Sequence, residues 1–324
     1  MSAEFEFAGR RDENDVTLAA AAPIGQVRQL PDGRAGVLRG SVAGVSGTER
    51  SFSDTGKYTG EKDTTWAALR GGRAYWNHSA NKVNYKKVGA RDFYLGRFAA
   101  AAAATDDTCT VDLNCKPEWD YDLDLLRDGY ATAPVGTQAL GGFLPPRQNG
   151  GALHLLLSAT NEAQKVDALG VDTFSKNAKA VVEGQFRVIN DGASGSQDFS
   201  IGVASATHAS DADSIPIHLL LHLDGNATAI KVQSKDGTTT VAATDTTKTY
   251  TEGSSIAERK EFWIDFADPA DPQIYIDGVN VLPASVFNVS AAASELRLIA
   301  HLEKAAGTDM YEIAIDRLVA RFQE

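Results

Sequence analysis

The chain is punctuated too often to be helical. Its apolar residues come in short runs, and Gly, Asp, Asn or Pro closes nearly every one. Two runs alternate strictly, Glu261-Phe262-Trp263-Ile264-Asp265-Phe266 and Glu312-Ile313-Ala314-Ile315-Asp316-Arg317-Leu318. A strand turns successive side chains to opposite faces, so a period of two marks a sheet with one buried face. Asp-Gly pairs at 224–225, 236–237 and 277–278 supply positive φ cheaply and read as hairpin turns. The pattern predicts an all-β protein.

Strands are predicted over 15–19, 25–29, 35–45, 47–52, 73–76, 82–85, 93–98 and 109–113, and again over 153–158, 178–189, 198–204, 217–223, 229–234, 260–266, 273–276, 295–302 and 311–322. Residues 63–69 suggest a short helical turn. The alanine run 99–104 has helix propensity but is too short to hold a helix alone; its small side chains suit close packing or a compact loop equally well. Gly-Gly and Pro-Pro pairs over 136–151 mark irregular chain. The expected organisation is an arm (1–15), a small β-rich domain (16–114), a connecting segment (115–150) and a larger sandwich (151–324).

At 324 residues, 43% hydrophobic and 23% charged, the chain has the material for two folded domains. Charge is unevenly divided. Residues 1–114 hold 15 Lys/Arg against 14 Asp/Glu, whereas 115–324 hold 16 against 29. The acidic part repels phosphate backbones, which excludes nucleic acid as its partner. The near-neutral first part suits contact with another protein. No apolar run reaches 18 residues, so no membrane span is expected, and the polar start of the sequence does not read as a signal peptide. Cys109 and Cys115, roughly 20 Å apart if the chain between them is extended, are expected to be free thiols.

Two resemblances carry the functional expectation. Residues 71–114 order a Gly-Gly pair, Ala74-Tyr75-Trp76, a polar Asn-His-Ser-Ala-Asn turn, Lys82-Val83, Phe93-Tyr94-Leu95-Gly96, small residues and a closing alternating strand. That order resembles the capsid decoration (cement) proteins of tailed phages. The resemblance implies a small barrel- or tulip-like domain that binds the major capsid protein as a homotrimer and covers junctions between capsomers. Phe5, Phe7, Tyr75, Trp76, Phe93 and Tyr94 are the interface residues it suggests. Further on, Phe262–Phe266, Gln273-Ile274-Tyr275-Ile276-Asp277-Gly278-Val279 and the strand at 311–322 resemble the concanavalin-like (laminin-G-like) jelly-roll sandwich. This fold hosts lectins, hydrolases and passive spacers alike.

Chemical motifs are sparse. The segment 56–62 has glycines and lysines but not the spacing of a phosphate-binding loop. Glu118, Asp120 and Asp122 lie outside the expected sandwich, and Glu261 and Asp265 are expected on a solvated face, so no carboxylate pair suggests glycoside hydrolysis. Asp268, Asp271 and Asp277 are oxygen donors suited to a cation or a sugar, but Asp-Pro pairs more often form plain turns. His218 and His222 stand about 13 Å apart on a strand, too far for one zinc ion to bridge. No Gly-x-Ser-x-Gly elbow is present. The expectation is a non-enzymatic virion protein without cofactor or metal, exposed on the head surface. The alternative is a glycan-binding adhesin in which the second domain binds sugar.

Overall fold

The computed structural model describes residues 13–17, 25–39, 44–116, 122–137, 152–192, 197–208, 211–225, 227–293 and 295–322. The chain divides into two compact units, Met1–Asp120 and Tyr121–Gln323. Nearly every element in both is a strand, and the named strands pair antiparallel.

The first unit holds two sheets. One contains β1 (Glu13–Thr17), β2 (Val27–Gln29), β3 (Ala35–Leu38) and β4 (Glu49–Ser53), ordered β1-β4-β3-β2. The other contains β5 (Lys57–Glu61), β6 (Arg73–Asn77), β7 (Lys82–Asn84), β8 (Phe93–Phe98) and β9 (Thr108–Leu113), ordered β5-β9-β8-β6-β7. The stretch 63–69 forms turns rather than a helix, because Lys62 is folded into the interior beneath it. Its Nζ donates to the carbonyls of Asp63 (3.0 Å) and Trp66 (2.8 Å) and lies 4.8 Å from the Trp66 ring. The alanine run forms a loop, bridged at Ala68 and Ala102 by a reciprocal pair of backbone hydrogen bonds. Cys109 is buried and Cys115 exposed, both as free thiols.

Asn114 ties the two sheets together. Its backbone sits at φ 53°, a left-handed conformation that asparagine tolerates better than most residues. Its side chain accepts from Ala35 N (2.8 Å) and donates to the carbonyls of Ala35 (2.8 Å) and Asp54 (2.7 Å). Asn114→Ala leaves the Ala35 and Asp54 groups without these bonds, at a cost of about 1–3 kcal/mol. Urea unfolding followed by Trp fluorescence should show the loss in the first unit alone.

The second unit is a β-sandwich. One sheet runs β10 (Asp122–Asp124), β23 (Tyr311–Arg321), β14 (Val181–Asn190), β19 (Lys260–Asp265), β20 (Gln273–Ile276) and β21 (Val279–Val281), with β12 (Leu153–Leu157) also on β23. The other runs β11 (Tyr130–Ala131), β13 (Gln164–Gly170), β22 (Arg297–Lys304), β15 (Gln197–Ala204), β16 (Ile217–Asp224), β17 (Ala229–Asp236) and β18 (Thr240–Thr249). Their inner faces share one apolar core, in which Phe186 of the first sheet meets Phe199 of the second at 5.4 Å between ring centres. Gly184 makes room for Phe262 opposite it: a Cβ there would stand 2.0 Å from the ring.

Within the segment 115–150, expected to connect the domains, residues 122–131 contribute to the sandwich. Strand β10 pairs with β23, β11 pairs with β13, and the helix α1 (Leu125–Asp128) between them buries Leu125 and Leu126. Asp124 caps this helix, accepting from Leu126 N at 2.9 Å.

Candidate functional site

The register of the second sheet decides what its outer face carries. Because side chains alternate, Val166, Phe199, Ile201, Leu219, Leu221, Leu223 and Leu302 enter the core, and their neighbours point out. Two polar rows result. Lys165, Glu303, Asp198 and Asp224 are successive partners across β13, β22, β15 and β16. In the next row, Asp167, His301, Ser200, His222 and Lys231 are successive partners out to β17. A third row is apolar (Leu169, Ile299, Leu220), and Ala212 and Ile215, from the described residues 211–216 of the loop before β16, pack on it. This loop shelters one flank of the polar rows: Thr207 Oγ1 accepts from Lys165 Nζ at 2.8 Å, and Gln233 donates to Asp213.

The sheltered end is a closed network. Lys165 Nζ lies 2.9 Å from Asp167 Oδ2, as an ion pair whose angle does not make a hydrogen bond, and Ala133 N donates to Asp167 Oδ1 at 2.9 Å. His301 is fully buried, with Nε2 2.8 Å from Glu303 Oε2 and Nδ1 without a partner. Burial holds His301 down to about 4. Burial, reinforced by Asp211 and Asp213, pushes Glu303 up to about 8. Burial therefore favours the neutral form of both groups.

The open end is formed by Asp198, His222 and Asp224. The Asp224 side chain is 56% exposed and that of Asp198 36%, whereas that of His222 is 7% exposed. Ser200 Oγ lies 3.1 Å from His222 Nδ1, which turns Nε2 toward the carboxylates, with Asp198 Oδ1 at 3.6 Å. Burial lowers His222, and burial together with Asp224 and Glu303 pushes Asp198 up to about 7. Asp224 is held below the usual carboxylate range by the hydrogen bond from Lys231, 2.9 Å away. One ligand atom from each of Asp198, His222 and Asp224 lies within 4.8 Å of the others, the one such grouping among the described residues. Ser200, His222 and Asp198 also stand in line like a nucleophile, base and orienting acid. Ser200 is 1% exposed, however, so its hydroxyl meets no substrate and serves to hold the imidazole.

The residues singled out from the sequence lie elsewhere. Phe5 and Phe7 fall outside the described residues. Phe93 is buried in the first unit, and Tyr75, Trp76 and Tyr94 are half-buried. Tyr75 and Tyr94 meet edge to face at 5.7 Å, and the Tyr94 hydroxyl donates to Cys115 O at 2.7 Å. Trp76 lines a hollow of about 300 Å³ with Tyr58, Val27, Val37 and Val111. Asp265, expected on a solvated face, is half-buried beside Trp263 and Tyr275, and burial raises its carboxyl. Asp268, Asp271 and Asp277 do not converge. Asp268 accepts from Ala270 N (2.8 Å) as a turn former, and Asp277 pairs with Lys260 (3.1 Å). His218 and His222 share the outer face as expected, but the carboxylate that His222 Nε2 faces is that of Asp198, across the strand pair. Only the β15–β16 register reveals it.

No family model matches the chain, that of the decoration proteins included, and no curated protein matches it. Among solved structures, the carbohydrate recognition domain of Emp47p aligns over 63% of this chain and 96% of its own, at 14% identity and a TM-score of 0.42. A protein of unknown function from Shewanella oneidensis MR-1 aligns over 60% and 78%, at 17% identity and TM-score 0.41. A carbohydrate esterase of the Shiga toxin-encoding bacteriophage phi24B aligns over 60% and 90%, at 13% identity and TM-score 0.37. TM-scores of this size leave ligand and activity to be read from the site itself.

Proposed function

We propose that the second unit is a non-catalytic carbohydrate-binding module, and that its ligand lies on the outer face of the second sheet at Asp198, His222 and Asp224. The observation that carries this reading is the mixture of groups at the open end. Two carboxyls, a neutral imidazole and the Lys231 ammonium stand on three adjacent strands about 4.8 Å apart. A sugar offers vicinal hydroxyls, each both donor and acceptor, and such a set can pair with them without burying an unmatched charge. The rows carry no Trp or Tyr on which a sugar ring could stack. Affinity for a single saccharide is therefore weak. The test is a glycan array probed with the full chain. Binding to a restricted set of glycans, lost in Asp224→Ala, is the expected result. An empty array, or binding indifferent to Asp224, overturns the reading.

A second reading concerns the first unit, which we assign to attachment. Its support is the resemblance of residues 71–114 to capsid decoration proteins, the near-neutral charge of 1–114, and the apolar hollow beside Trp76. On this reading a homotrimer docks on the major capsid protein across capsomer junctions, and the chain sits on the virion surface with the sandwich displayed. Interface that exists only in the assembled shell then stabilises that shell by mass action. Co-sedimentation of the full chain with phage heads that lack it tests the assignment. Failure to bind removes the attachment reading and leaves the sugar site untouched.

A further inference from the structure

We infer that Asp198, His222 and Asp224 form a binding site for a single first-row divalent metal ion of the zinc type. The inference concerns the face assigned above to carbohydrate but does not need that assignment.

Three observations carry it. First, the three ligand atoms already lie within 4.8 Å of one another, so small side-chain rotations bring all of them to an ion with bonds of about 2.0–2.2 Å. Second, the buried imidazole is oriented for the task. His222 Nδ1 is occupied by Ser200 Oγ at 3.1 Å, and Nε2 faces Asp198 Oδ1 across 3.6 Å, beyond hydrogen-bond range. A metal-bound histidine is characteristically held in this way through its other ring nitrogen. Asp198 Oδ1, itself shielded from water, has no hydrogen-bond donor. The imidazole Nε2 and a carboxylate oxygen thus face one gap, and the carboxylate oxygen is without a hydrogen-bond donor. Third, Asp198 and Asp224 are directly opposed on neighbouring strands, an arrangement that is destabilising when both are charged and that a cation between them would relieve. Lys231 reaches only Asp224 Oδ2 and leaves that side chain's other oxygen for the ion.

The donor set selects the metal. Calcium takes six to eight oxygens, whereas one imidazole and two carboxylates suit zinc and its neighbours, with a coordination position left for water or a ligand hydroxyl.

The test uses the full chain carrying Cys115→Ser, because the exposed thiol would itself take zinc. The protein is stripped with chelator and titrated calorimetrically with zinc chloride and, separately, with calcium chloride. The expected result is one saturable zinc site, at least about 100-fold tighter than any calcium binding. Asp224→Asn, at an exposed position where folding is not at stake, should weaken zinc at least about 10-fold. Asp198→Asn should do the same, with circular dichroism confirming the fold. No saturable zinc site, or affinity unchanged in both variants, overturns the inference. Repeating the glycan array on stripped protein separates the two claims. Glycan binding without a zinc site sinks only the metal, and a zinc site with an empty array sinks only the carbohydrate reading.

Discussion

A fragment beginning at residue 151 should fail to fold, whereas one beginning at residue 121 should fold cooperatively. The difference is the short stretch 122–131. Leu123, Leu125 and Leu126 are 6%, 1% and 8% exposed and belong to the same core as Phe186 and Ile313. Strand β10 closes the first sheet on β23, with Leu123 opposite Ala320, and β11 closes the second on β13, with Tyr130 opposite Gly170. Truncating one buried leucine to alanine costs about 2–5 kcal/mol. Losing three, together with two strand pairings, matches or exceeds the whole stability of an ordinary domain, about 5–15 kcal/mol. The check is a urea titration followed by circular dichroism. A cooperative transition for 121–324 and none for 151–324 is the expected pair of results. Equal midpoints would mean that the stretch is peripheral.

The second large effect is one of pH. Glu303 titrates at about 8 in the folded chain against 4.5 for a free glutamate, so between those values the native state binds the proton and the unfolded chain does not. Stability then falls as pH rises through this window. His301 acts oppositely. At about 4 against 6.5, it is neutral when folded and charged when unfolded between those values, so its term rises with pH. The two nearly cancel between pH 4.5 and 6.5. Above 6.5 only the carboxyl remains, and one group contributes about 1.36 kcal/mol per pH unit. The second unit should therefore lose about 2 kcal/mol between pH 6.5 and 8. Asp198 acts in the same direction but is a third exposed, and solvent screens its share. Glu303→Gln keeps the shape of the protonated acid and should flatten this limb, leaving the variant more stable than the parent at pH 8. An unchanged slope in the variant would show that the buried His301–Glu303 pair is not its source.

Much of the fold was legible where strands alternate and turns are marked. Strands β19 and β23 alternate apolar and polar residues, and the Asp-Gly turns at 224, 236 and 277 punctuate the sandwich. Strands hidden from such reading were hidden for physical reasons. Strand β13 buries all seven residues, Lys165 and Asp167 included, because Thr207 and Ala133 meet its polar face; a segment that opens on Gln and Lys and has only Val166, Ala168 and Leu169 as apolar residues carries no strong strand signal. Strand β18 is a sheet edge, rich in Thr and Ala and largely exposed, so it lacks an apolar stripe. Strand β5, Lys57–Glu61, has a single apolar side chain, Tyr58.

The site was less legible still. In the sequence His222 stands out only as one of two histidines four residues apart on a strand. The relevant neighbour, Asp198, is 24 residues distant in sequence and adjacent only through the β15–β16 pairing. Spacing within one strand cannot disclose a constellation assembled across several, nor can it show that Glu303 and His301 lie buried side by side.

The central claim is that the outer face of the second sheet, at the end marked by Asp224, is where this protein meets its ligand. A structure of the full chain soaked with the best-binding saccharide from the array tests it most directly. The account predicts the sugar against Asp198, His222 and Asp224, its hydroxyls within hydrogen-bond distance of their side chains. A saccharide bound in the hollow beside Trp76, or on the outer face of the other sheet near Tyr275, would contradict it.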